Sequence, residues 1–93
     1  AYLSADERTR ALVLPQTLIG AAAALSAGTP VIEALQAGSR RIEFAGLNLD
    51  YLALSDTSTL APITVMNSPA RLLVAAKCGA TRLIDNVPVL PTD

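Results

Sequence analysis

The sequence predicts an α+β fold in two layers: a mainly three-stranded antiparallel sheet with about three helices packed on one face. Three observations predict it. The stretch RLLVAAKCGATRLIDNVPV, residues 71–89, is two runs of Leu, Val and Ile joined through Lys77-Cys78-Gly79-Ala80-Thr81, a glycine-containing connection of hairpin length. Residues 49–55 alternate like a further strand. The chain before residue 46 is rich in helix formers, punctuated by cap and stop residues. At 93 residues and 52% hydrophobic, the chain makes one domain with ample material for a core.

The first helix has a sequence-encoded start. Ser4-Ala5-Asp6-Glu7 is a capping box, in which Ser4 accepts from the Glu7 backbone and the Glu7 carboxylate reaches back to the Ser4 N–H. Asp6 and Glu7 also complement the helix dipole. Pro15 removes a bond to the Ala11 carbonyl and crowds it, so one straight helix to Ala27 is not expected. The expectation is a helix over 5–13 and a second over 15–27 with Pro15 in its first turn; a single kinked helix is the alternative. Leu14, Leu18, Ile19, Ala22 and Leu25 form the second helix's apolar stripe. Gly28, Thr29 and Pro30 then read as stop, cap and first-turn residues of a third helix reaching Phe44 and ended by Gly46. Its inward residues are Val31, Ala34, Leu35, Ile42 and Phe44, and Gly38 in its middle costs about 1 kcal/mol relative to Ala.

In the first strand Leu52 and Leu54 share one face, and Tyr51, Ala53 and Ser55 the other. Residues 56–69 carry Ser, Thr, Asn and two prolines and are the least regular, with Ile63-Thr64-Val65 as a short additional strand. In the second main strand Leu72, Val74 and Ala76 oppose Arg71, Leu73, Ala75 and Lys77. The third runs from Thr81 to Val89, with Pro88 placing its end at an edge, and Pro91-Thr92-Asp93 is expected to fray. Apolar residues therefore stand on both sheet faces. A small antiparallel sheet ordinarily leaves one face polar, so the Leu73/Ala75 face suggests cover from a missing domain or a second copy; scattered exposed aliphatics with no partner are the equal alternative.

Composition excludes several function classes. Formal net charge is −1 with the basic residues scattered, so there is no basic stripe for nucleic acid, and Tyr2, Phe44 and Tyr51 are the only aromatics for stacking. The nearly uncharged run 11–31 contains Pro15, Gly20, Gly28 and Pro30 and reads as broken helix, not a membrane span. No secretory signal pattern is visible at the start. Cys78 is the only cysteine, so a disulfide within the chain is excluded and a reducing, cytoplasmic setting is the simpler reading. Without histidine, neither His-based nucleophilic catalysis nor a transition-metal site of ordinary composition is available. There is no glycine-rich phosphate loop and no nucleophile elbow. No catalytic, cofactor-binding or metal-ligating residue is assigned.

What remains are weaker candidates. Asp85-Asn86 at a strand end reads first as a pair bonding local backbone, second as a holder of a substrate amine or hydroxyl. Arg82 reads as a cross-strand or solvated arginine before a phosphate ligand, and Cys78 as an inert thiol before a reactive one. Tyr2 and Leu3 are hinge candidates, and Leu73 and Ala75 inter-domain candidates.

These residues also carry a resemblance. Leu72-Leu73-Val74-Ala75-Ala76, Gly79 and Thr81-Arg82-Leu83-Ile84-Asp85-Asn86 resemble the C-terminal end of the pantothenate synthetases (pantoate–β-alanine ligases). Tyr2-Leu3-Ser4 with Glu7-Arg8, and Leu49-Asp50-Tyr51-Leu52-Ala53-Leu54, agree in the same order. The resemblance covers nearly the whole chain but only about a third of a typical member; Pro88 and Cys78 depart from the family's usual pattern. It implies a C-terminal lid domain of an enzyme that joins pantoate to β-alanine, using ATP and Mg²⁺, through a pantoyl adenylate with release of pyrophosphate and then AMP. The family's nucleotide and substrate motifs lie on an N-terminal Rossmann-type domain. Its Ser-Ser-Arg-Asn segment comes just before the position of Tyr2-Leu3, so none of those residues falls on this chain. The resemblance thus implies a piece inactive alone, with the N-terminal domain as partner; a homodimeric parent is compatible with it. The competing expectation is a stand-alone small α/β interaction or dimerisation module that pairs through its open sheet face.

Overall fold

Ser4 starts the first helix as its sequence requires. Its hydroxyl accepts from the Glu7 N–H at 3.1 Å, and its own N–H donates to the Glu7 carboxylate at 2.9 Å. In the computed structural model, which describes residues 3–91, the helical layer comprises α1 (Ala5–Ala11), α2 (Val13–Ser26) and α3 (Val31–Phe44). Strands β1 (Asn48–Asp56), β2 (Ala70–Cys78) and β3 (Thr81–Val89) follow. The expectations for Tyr2 and for fraying at Thr92-Asp93 lie outside the described residues. The expected gap at residue 14 is instead at Leu12. Pro15 cannot bond the Ala11 carbonyl, so the ladder breaks a turn before the proline and α2 keeps Pro15 in its first turn. The first two helical pieces are therefore separated by one residue, which itself stays right-handed at φ −61°, ψ −18°.

Glycine ends both long helices by the same geometry. Gly28 (φ +103°) donates to the Leu25 carbonyl and Thr29 to that of Ala24; Gly46 (φ +89°) donates to Glu43 and Leu47 to Ile42. Both are Schellman stops, and the second brings apolar Leu47 back beside Ile42. The third helix begins one residue later than Thr29 and Pro30 suggest, with Pro30 as its cap residue and Val31 as its first member.

The sheet has the order β1-β2-β3, antiparallel throughout. Cys78 and Thr81 pair directly, which leaves Gly79-Ala80 as a two-residue turn with the positive φ (+62°) at its first position. A glycine first is what a II′ hairpin turn requires. One face of β2 (Ala70, Leu72, Val74, Ala76, Cys78) is buried under the helices together with Leu54 and Val89. From the helices Leu14, Leu18, Leu25 and Ile42 complete the core. None of the described helices is long and apolar enough to cross a membrane.

Two inward assignments and one expected strand fail for geometric reasons. Ile19 is 66% exposed, because the stripe Leu14-Leu18-Ala21-Leu25 runs through its neighbour and places Ile19 about 100° off it. Phe44 is 94% exposed, two residues and so about 200° from the fully buried Ile42. The segment Ile63-Thr64-Val65 forms no strand; a single bridge pairs Ser55 with Pro62, and a proline donates nothing that would extend it. The turn before it is nonetheless firmly built. The Asp56 carboxylate accepts from the N–H groups of Ser58 (2.8 Å) and Thr59 (2.9 Å), and these two bonds, Thr59's first, hold its carboxyl below the usual carboxylate range.

Thr17 completes the buried stripe of α2 although its side chain is polar. It is 2% exposed, and its hydroxyl has no hydrogen-bond partner among the described residues. An unpaired buried hydroxyl costs about 1–3 kcal/mol, and valine has the same branched shape. Thr17→Val is therefore expected to stabilise the fold by about 1 kcal/mol or more. Urea unfolding at an unchanged slope checks this, and a loss of stability would show that the hydroxyl is paired after all.

Candidate functional site

The sheet face turned away from the helices is a surface whose function the fold leaves open. Antiparallel register sets its composition. Tyr51, Ala75 and Ile84 align across the three strands, and Ala53, Leu73 and Asn86 align in the next same-face row. Ser55, Arg71 and Pro88 form a further row, while Lys77 stands opposite Arg82 towards the hairpin. A bulge between Leu49 and Tyr51 leaves Asp50 without a register partner. The Asp50 carboxylate accepts from the Arg82 guanidinium at 2.8 Å, across an exposed surface.

The sequence candidates other than Tyr2 lie among the described residues. Leu73 is half-buried and Ala75 fully buried, although neither faces the helices. Ala75 is small and lies between two large register partners, so the apolar atoms open to solvent belong to Tyr51 (40% exposed) and Ile84 (65%). Sequence alternation puts Leu73 and Ala75 on this face, and the sizes of cross-strand neighbours decide which of its residues are accessible. Leu3 is half-buried against the core at the start of α1. The structure does not bring Leu3 together with the open face.

Asp85 and Asn86 turn to nearby partners: Asp85 Oδ1 accepts from the Asn86 N–H at 2.8 Å, and the Asn86 side-chain Oδ1 accepts from the Arg71 guanidinium. Cys78 is fully buried, its Sγ 3.5 Å from the Glu7 carbonyl oxygen. Among the described residues no group of three or more His, Cys, Asp or Glu is placed to hold a metal ion. A groove of about 520 Å³ opens between the end of α2, the start of α3 and the 63–66 segment, with Leu25, Ile32, Ile63, Val65 and Met66 among its lining residues. It converges no charged groups. On the open sheet face an apolar centre of Tyr51, Leu73, Ala75 and Ile84 has Arg71, Lys77 and Arg82 around it, the composition of a docking surface.

The sequence profile of the Pantoate-beta-alanine ligase family matches residues 1–88. Pantothenate synthetase of Rhizorhabdus wittichii is 49% identical over 92 residues, 98% of this chain and 33% of that protein. The Myxococcus xanthus pantothenate synthetase is 51% identical over 90 residues, 94% of this chain and 31% of its own length. Among solved structures, pantothenate synthetase from Thermus thermophilus superposes with a TM-score of 0.88 at 36% identity, over 97% of this chain and 33% of that one. The chain spans about a third of the length of the relatives it matches.

Proposed function

We propose, from the premise that this chain belongs to the pantoate–β-alanine ligase family, that it is the C-terminal lid domain of such a ligase. One observation carries the reading: 98% of the chain aligns with only 33% of a pantothenate synthetase of the same family. The parent condenses pantoate and β-alanine in the cytoplasm. Pantoate attacks the α-phosphate of ATP with release of pyrophosphate, and the β-alanine amine then displaces AMP from the pantoyl adenylate, with Mg²⁺ assisting the first step. The described residues offer neither a phosphate loop nor a metal donor set, so no step is assigned to a side chain of this domain.

Its role is closure. An acyl adenylate reacts with water, and a domain that covers the cleft between the two half-reactions favours the amine over hydrolysis. Leu3 belongs to the hinge, and the Leu73/Ala75 face, with Tyr51 and Ile84 as its accessible apolar groups, packs on the N-terminal domain of the same enzyme. Deleting the domain from the parent should lower pantothenate formation on the order of a hundredfold, by loss of positioning. The ratio of AMP released to pantothenate formed should rise at the same time. A deletion that leaves both rate and ratio intact overturns the lid reading.

The exposed Tyr51 and Ile84 also suit a self-pairing module. Size exclusion of the 93-residue chain across concentration separates the two. A lid stays monomeric; a module associates, and Leu73→Glu abolishes the association.

A further inference from the structure

We propose that α1 is a latch: within the folded chain it lifts off the body as a unit, pivoting at Leu12 and uncovering Cys78. The seven residues of α1 include none that is buried, and a helix so short has little stability of its own in water. Its ladder to the next helix is already interrupted, because Pro15 supplies no N–H to the Ala11 carbonyl. A half-buried Leu3 tethers its leading end.

Close approach to two turns at one end of the sheet, with one hydrogen bond among the contacts, holds it down. Glu7 lies over the β2–β3 turn so closely that a Cβ at Gly79 would collide with its carboxylate. Arg10 lies over the α3–β1 turn, with one guanidinium nitrogen 3.5 Å from the Gly46 carbonyl oxygen. A Cβ at Gly46 would stand 3.1 Å from that same nitrogen. Both glycines have positive φ, so each turn presents bare backbone on which α1 rests. The Glu7 side chain also closes the capping box, which makes it a fastener of both the helix start and the seat. A segment with few buried apolar contacts and exposed hydrogen bonds opens at a free energy below that of global unfolding. Under the lid reading proposed above, the latch sits where the chain arrives from the missing domain; the opening itself does not depend on that reading.

Cys78, the only cysteine, reports the opening, because its buried Sγ meets the Glu7 carbonyl oxygen beneath α1. The experiment measures iodoacetamide labelling of Cys78 in the 93-residue chain against urea, alongside hydrogen exchange resolved to α1 and β2. Labelling should proceed through an opening with a much shallower urea dependence than global unfolding, and α1 amides should exchange well before those of β2. Glu7→Ala should speed labelling about five- to tenfold, the effect of losing a cap, while β2 protection stays put. Glu7→Gln, which keeps the acceptor, should remain near wild type. Labelling that follows global unfolding at the same urea slope, with α1 and β2 amides exchanging together, overturns the latch. That result would leave the lid assignment standing, since the latter is read from the parent's product ratio.

Discussion

Leu72→Ala is expected to destabilise the chain by about 2–5 kcal/mol, whereas Leu73→Ala, the next residue along, should cost about 1 kcal/mol or less. Leu72 is fully buried between its register partners Leu54 and Val87, under the helices. Truncating it removes the transfer energy of three carbons and leaves a cavity that the surrounding helices and strands fill only in part. Leu73 points the other way into the half-covered face, where water and neighbouring side chains occupy the vacated space. Domains of this size hold roughly 5–15 kcal/mol in total, so the first substitution removes a large share of the stability and the second little. Paired urea denaturations at equal slope measure both. Equal costs would mean that the second face is as tightly packed as the first, and the docking surface described above would not exist.

That contrast shows what was legible in the sequence. Strand faces follow from a period of two, so placing Leu52 and Leu54 opposite Tyr51 and Ala53 within one strand, and Leu72 and Val74 opposite Leu73 and Ala75 within the next, needed no knowledge of partners; which face continues which across the strands comes from the register. The helix stops at Gly28 and Gly46 and the start at Ser4 were legible because their chemistry spans six residues or fewer. Facing within α2 and α3 was harder. An apolar residue adjacent to the true stripe, such as Ile19, looks like a member of it until the sheet fixes which 100° arc is covered. Thr17 was overlooked because a hydroxyl in a buried stripe has no local signature. On the candidate face, alternation identified Leu73 and Ala75, but the exposure of Tyr51 and Ile84 depends on side-chain sizes across three strands. The seats of Glu7 on Gly79 and Arg10 on Gly46 join residues distant in sequence, and no spacing rule announces such contacts.

Gly38 is the position where the sequence offers a cost and the structure supplies its reason. In the interior of α3 a glycine weakens the helix by about 1 kcal/mol relative to alanine, which alone favours replacing it. A Cβ there would stand 2.7 Å from Leu52 Cδ2 on β1 and 3.2 Å from Thr17 Cγ2 on α2, so the missing side chain lets three elements converge. Gly38→Ala sets the gain in helix propensity against a forced shift of Leu52, and its net effect should be small. Gly38→Val adds two methyl groups where one carbon already collides and gives up part of the propensity gain through its branching; it should destabilise by about 1–3 kcal/mol. The double substitution Gly38→Val with Leu52→Ala removes the nearest obstacle and should recover about 1 kcal/mol relative to the sum of the singles, a coupling that denaturation of all four proteins resolves. Additive effects would mean that Leu52 does not limit the approach of α3 to the sheet, and the limiting contact would have to be sought at Thr17. If the coupling is found, the close seating of α3 on β1 rests on one absent side chain, and the same seating carries the Gly46 turn that supports Arg10 of α1.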